Sequence, residues 1–223
     1  AQKQGKLKAA TVGDIDGDGR VDLIGVTPYV KDPQNVQDTP THLTPWLAFD
    51  NGQWLPGVAS AVDASAIADP DTTRAVAGDV DLDGKLDLMS VNAGLNNVAI
   101  HYGDQIGNFT DGRLFSAVSP GVRATVLGQL NPDEDDFPDL VSVGTSDVFI
   151  TYGREHKKGE DDPFDPPVTL DYAGSQPTGV VTTDLNQDGF DDILVLDGSN
   201  SAAYLYAGMG EKVFSEAPLI IQT

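Results

Sequence analysis

Apolar and β-branched residues come along this chain in short runs of strand length, separated by turn residues. Three pairs of runs stand out: Ala10–Val12 with Leu23–Val26, Ala75–Ala77 with Leu88–Val91, and Val180–Thr182 with Ile193–Leu196. Each pair brackets one short acidic stretch, which predicts a β-hairpin with a polar loop. A second pattern follows each hairpin. It comprises Trp46–Trp54, then Val98–Gly103 leading to Asn108-Phe109, Val148–Gly153 leading to Pro163-Phe164, and Ala203–Gly208 leading to Val213-Phe214. Each reads as a strand, a Gly-containing turn and a strand opening on an aromatic. The chain therefore divides into units over 1–64, 65–117, 118–172 and 173–223, each with four short strands, A to D. Four-stranded units at such a period suggest an all-β propeller built of blades. The C and D aromatics are expected to pack between blades.

The loops between strands A and B carry the chemistry. In the first, Asp14, Asp16, Asp18 and Asp22 take positions 1, 3, 5 and 9, with Gly19 at position 6. The second repeats this with Asp79, Asp81, Asp83, Asp87 and Gly84, and the last with Asp184, Asn186, Asp188, Asp192 and Gly189. Alternate residues of a tightly curled loop point inward together, and converging carboxylates repel unless a cation lies among them. A hard cation taking six to eight oxygens at about 2.3–2.6 Å, calcium above all, suits this set. The backbone carbonyls of Arg20, Lys85 and Phe190 at position 7 are expected to complete it. The EF-hand is the competing motif, but it requires a bidentate Glu at position 12 between two helices. Position 12 here is Gly25, Ser90 and Val195, and the flanks read as strands.

The spacing calls for a further loop near residue 130, and Gln129–Leu140 supplies an altered one. Aligned from its end, Asn131, Asp133, Asp135 and Asp139 take positions 1, 3, 5 and 9, with Asp136 in place of the glycine. Aligned from its start, Gln129, Asn131 and Asp133 lead and two residues are inserted. The expectation is three calcium sites, with the fourth left open.

Composition narrows the partners. The chain of 223 residues has 35 acids against 13 bases, a formal charge of −22. Such a surface disfavours nucleic acid, whose phosphates need Lys and Arg, and anionic lipid. No run of 18 apolar residues occurs, so no membrane span is expected. No apolar stretch follows the first four residues, so no signal peptide is read here. Cysteine is absent, which excludes disulfides. The three histidines lie in different units, and no nucleophile elbow, phosphate loop or His-Glu-x-x-His is present. The chain is therefore read as non-catalytic. Dependence on calcium points to an extracellular setting.

The recurring Gly-Asp-x-Asp-x-Asp-Gly-x-x-Asp-Leu motif, with a following Tyr-Gly and an aromatic turn, resembles the FG-GAP repeats of the integrin α-chain β-propeller and its bacterial and fungal relatives. The resemblance covers the chain as four consecutive repeats. It implies a propeller, or part of a larger one, with calcium held structurally at the A–B hairpins. Three roles follow as expectations: a cell-adhesion or ligand-binding scaffold with a protein or glycan ligand, a carbohydrate-binding or lyase-associated propeller, and an assembly subunit mating with other chains through open blade edges. Two insertions offer further binding loops. One is the proline-rich stretch Thr27–Pro45 with Tyr29, and the other is Arg154–Asp162.

Overall fold

A computed structural model describes residues 7, 9–27, 42–57, 60–61, 72–92, 96–110, 113–115, 118–157 and 162–222. Among these residues there are seventeen strands and no helix. Two compact units are present: unit 1 comprises 1–79 and 83–116, and unit 2 comprises 80–82 and 117–223.

Unit 1 holds two antiparallel sheets. The first has the order β1 (Ala9–Gly13), β2 (Asp22–Thr27), β3 (His42–Ala48), β4 (Trp54–Pro56), with β5 (Ser60–Ala61) also pairing β3. The second is β6 (Thr72–Gly78), β7 (Asp87–Asn92), β8 (Asn97–His101), β9 (Arg113–Phe115). Unit 2 holds the other two. The third is β10 (Ala124–Gly128), β11 (Asp139–Val143), β12 (Val148–Thr151), β13 (Val168–Thr169). The fourth is β14 (Pro177–Thr183), β15 (Asp192–Asp197), β16 (Ala202–Tyr206), β17 (Leu219–Gln222). Each sheet is a meander in which every strand pairs mainly with its sequence neighbours.

The two faces of each sheet do different work. Side chains directly opposite across a ladder share a face. In the first sheet Ile24, Val26 and Leu43 form a back face, fully buried, that packs with Leu88 and Ala99 from the front of the second sheet. In unit 2 the back face of the third sheet, Val141, Val143, Val148 and Ile150, packs with Ile193, Val195, Tyr204 and Tyr206 from the front of the fourth. The same rule, back of one sheet on front of the next, operates in both units. Each buried Val, Leu or Ile contributes about 1.5–3 kcal/mol to these cores.

Strand D begins later than the aromatics suggest. Phe109, Phe164 and Phe214 make isolated bridges to Gly103, Gly153 and Gly208. The paired strands follow only at Arg113, Val168 and Leu219. The aromatic is thus a plug in the C–D turn, with Phe109 and Phe164 buried. In the first sheet Trp54 does open the strand, opposite Ala48.

Among the described residues, the front of the second sheet buries the titratable side chain of His101. Its Nδ1 faces the carbonyl of Thr110 at 3.2 Å, so Nδ1 carries the proton and donates. Nε2 then accepts from Ser90 Oγ at 3.1 Å. Burial lowers the His101 pKa to about 4, with the Thr110 carbonyl pulling the other way. The unfolded chain therefore binds this proton more readily, and stability falls as pH drops from 6.5 towards 4. Below 4 the loss is complete, at about 3 kcal/mol. Denaturant melts between pH 7 and 4 should show this slope in the native chain and a flatter one in His101→Gln.

Candidate metal centres

The four A–B loops close on one ladder position. Gly13 pairs with Asp22, Gly78 with Asp87, Gly128 with Asp139 and Thr183 with Asp192. The position-9 aspartate therefore opens strand B every time, and all four are buried. Its carboxylate is a clamp. Asp22 accepts from the amides of Ile15 (2.9 Å) and Ala48 (2.7 Å). Asp139 accepts from Leu130 (2.8 Å) and Gly153 (2.9 Å), and Asp192 from Leu185 (3.1 Å) and Gly208 (2.9 Å). Asp87 accepts from Gly103 at 2.9 Å. In Asp22, Asp139 and Asp192 one oxygen holds the loop and the other holds strand C at its end or just beyond it.

Position 1 folds the loop from within. Asp14 accepts from the amides of Asp18 and Gly19, Asp79 from Asp83 and Gly84, and Asp184 from Gln187, Asp188 and Gly189. Position 5 caps position 7: Asp18 takes the Arg20 amide, Asp83 that of Lys85 and Asp188 that of Phe190. Two residues per loop turn left-handed. Position 6 is Gly19 (φ 84°), Gly84 (φ 82°) and Gly189 (φ 97°). Position 4 is Gly17 (φ 74°), but also Leu82 (φ 56°) and Gln187 (φ 63°). A non-glycine side chain held there stores backbone strain of order 1 kcal/mol.

This winding gathers acids. Carboxylate oxygens of Asp14, Asp16 and Asp18 lie within 4.8 Å of one another, as do those of Asp79, Asp81 and Asp87. Burial and the charges of Asp18, Asp22 and Asp14 raise the pKa of Asp16, with the Asp18 amide lowering it. Like charges so close disfavour ionisation of all three acids at once. Hard oxygen donors at this separation fit a divalent cation. The position-7 bases relieve part of the repulsion: Arg20 pairs with Asp18, and Lys85 Nζ lies 3.1 Å from Asp83. Arg20 also reaches Ala48 O and Asp50 Oδ1, so its side chain braces the first sheet. In the fourth-sheet loop Asn186 replaces one acid and donates to Asp188 Oδ2 at 2.9 Å. That loop brings Asp184, Asn186 and Asp188 into one hydrogen-bonded curl with two carboxylates where the first has three.

The third loop is built differently. Between its closing pair run residues 129–138, two more than the 14–21 of the first loop. Leu130 occupies position 2, since its amide meets Asp139, which puts Gln129 where the other loops have an aspartate. From Asp135 onward the end alignment holds, because Asp135 caps Phe137 as position 5 caps position 7 elsewhere. The two extra residues fall between. No residue of 129–138 has positive φ, which is why Asp136 can stand in for the glycine. Asn131 is buried, donates to Asp135 Oδ2 at 3.2 Å, and leaves its Oδ1 without a protein partner. Asp133 Oδ2 accepts from the Glu211 amide at 3.0 Å. Burial pushes Asp139 up to about 7 against the pull of the Gly153 and Leu130 amides.

A basic side chain that spacing alone does not reveal lies against this loop. Lys212, in the C–D turn of the fourth sheet, places Nζ 3.0 Å from Glu134 and 4.7 Å above the Tyr152 ring. Its pKa is raised chiefly by the bond to Glu134, with burial opposing and the charges of Asp165 and Asp135 adding. Lys212→Met should cost about 1 kcal/mol, because the pair is only partly shielded. Urea melts should show that cost at low salt and less of it at 1 M salt. The first loop meets the corresponding turn of the second sheet, where Gln105 closes over Gly17 so tightly that a Cβ there would strike it.

Of the two insertions, residues 28–41, with Tyr29, and 158–161 lie outside the described residues. The described part of the second is tied down by Arg154, whose amide donates to Pro163 O and whose Nε donates to Asp162 O. Trp46 is half-buried on the front of the first sheet.

No family model matches the chain, and no curated protein matches it. Among solved structures it is similar to a chain of the Photorhabdus luminescens Tc holotoxin pore carrying the TccC3-D651A mutation, at 17% identity and a TM-score of 0.44. The likeness covers 98% of this chain and 9% of that one. At that level it lends nothing to the assignment of function.

Proposed function

We propose that this chain is a calcium-stabilised binding scaffold of the FG-GAP type, its four sheets serving as propeller blades in an extracellular setting. The gathering of three carboxylates in each of the first two loops carries this reading. Asp14, Asp16 and Asp18 would hold one ion, and Asp79, Asp81 and Asp87 a second. Asp184, Asn186 and Asp188 would hold a third, more weakly, because a neutral amide replaces one acid. The carbonyls of Arg20, Lys85 and Phe190 and the position-9 acids Asp22 and Asp192 are the remaining candidate donors. Bound there, calcium supplies positive charge that offsets clustered acids and stiffens the hairpin. The role is structural, since binding to the native loops alone shifts folding towards the native state. The third loop, with Asn131, Asp133, Asp135 and Asp139, is proposed to do without calcium, because Lys212 already lies against its acids.

The absence of a recognisable nucleophile, phosphate loop or metalloprotease motif favours a non-catalytic scaffold over an enzyme. Calorimetric titration of the metal-free chain with calcium tests the metal assignment. Saturable binding that weakens in Asp16→Asn and Asp81→Asn is expected, and a featureless titration would remove the basis of the proposal.

A further inference from the structure

One dipeptide of the first sheet carries chemistry that the acidic loops do not use. Asn51-Gly52 is the single Asn-Gly pair in the 223 residues. It lies at the tip of the turn that joins β3 to β4. The backbone nitrogen after an asparagine can attack that residue's Cγ and close a five-membered imide. A side chain on the following residue obstructs this attack, and glycine carries none.

The fold presents the pair openly. Asn51 and Gly52 are both exposed. Gly52 has φ 75°, and a Cβ added there would meet nothing within 4 Å. Asn51 Oδ1 accepts from the Gln53 amide at 2.9 Å, an Asx turn that folds the carboxamide back along its own backbone. That bond also draws electron density from Cγ. One bond opposes the reaction: the Gly52 amide donates to Phe49 O at 2.9 Å, so the turn has to open before its nitrogen attacks. Exposed turn tips open at low free-energy cost. Other asparagines are held or blocked. Asn200 precedes Ser201, its amide donates to the buried Asp197 and its Nδ2 to Tyr204 Oη. Asn131 precedes Pro132, which has no amide proton to lose.

We propose that Asn51 is a site of spontaneous deamidation. The Gly52 nitrogen gives up its proton and bonds to Asn51 Cγ, the Cγ–Nδ2 bond breaks, and ammonia leaves. Water then opens the imide at either carbonyl, leaving aspartate or isoaspartate at position 51. The step needs only water and base. Its product places a new carboxylate beside Asp50, whose Oδ1 lies 2.7 Å from Arg20. The isoaspartate form also adds a methylene to the turn that the Phe49 amide and Gln53 carbonyl close. The inference is independent of whether the acidic loops hold calcium.

Incubating the chain with calcium in mildly alkaline buffer, followed by peptide mapping for the mass gain and for isoaspartate, tests this. Asn51 should convert about tenfold faster than Asn200 in the same sample, and Gly52→Ala should slow it by about as much. A parallel sample unfolded in urea shows the rate that the sequence alone allows. Conversion of Asn51 in the native chain should come within about tenfold of it, since the turn opens readily. An Asn51 that stays intact in the native chain while it converts in the unfolded one would overturn the inference. So would conversion no faster than that of Asn200, or a Gly52→Ala variant as fast as the native chain.

Discussion

Replacing Asp192 by alanine, measured in excess chelator so that no metal contributes, should cost about 3–5 kcal/mol of folding stability. Its two oxygens are the acceptors for the part-buried amide of Leu185 and the buried amide of Gly208. Each orphaned buried amide costs about 1–3 kcal/mol, and the cavity adds to that. Asp192→Asn should fall about midway, because an amide keeps one acceptor and turns the other into a donor facing a donor. Asp22, Asp87 and Asp139 hold the same place in their own sheets. A urea midpoint for Asp192→Ala within about 1 kcal/mol of the native chain would show that the clamp does not hold the hairpin to strand C.

The second large effect is metal removal. A site filled at a hundred times its Kd stabilises the native chain by about 2.7 kcal/mol. For a chain of this length each kcal/mol shifts the melting temperature by about 2–4 °C. Two or three filled loops therefore predict a fall of about 10–30 °C on adding excess chelator, reversed by calcium. The clustered acids Asp14, Asp16 and Asp18, and Asp79, Asp81 and Asp87, are the source of the effect. Asp16→Asn should remove one site's share of the shift, while raising the stability of the metal-free chain by relieving its repulsion with Asp14 and Asp18. That opposite sign in the two conditions separates a metal ligand from a residue that merely helps the fold.

Much of this architecture was legible in the sequence because it rests on local patterns. Alternating apolar runs and the acidic spacing locate every A–B hairpin, and the ladders begin at Asp22, Asp87, Asp139 and Asp192. Features that depend on packing or on partners distant in sequence were not legible. Phe109 and Phe164 read as strand openings, yet they are buried in the C–D turn and strand D starts later. The spacing marks the position-9 aspartate as a candidate cation ligand, and only the fold shows that its carboxylate also accepts from backbone amides. The third loop reads equally well from either end until the Gly128–Asp139 pairing locates its two extra residues. Lys212 lies 78 residues from Glu134, so no local motif could associate them. Left-handed backbone at Leu82 and Gln187 has no signature either, because glycine marks that position only in the first loop.

The most direct test is a metal count. The purified chain would be dialysed exhaustively against buffer with millimolar free calcium, and bound calcium in excess of the dialysate determined by mass spectrometry per mole of protein. Three ions are expected for the native chain, two for Asp14→Asn/Asp16→Asn, and an unchanged count for Asp133→Asn/Asp135→Asn. A native chain with no bound calcium would contradict the metal-stabilised scaffold itself.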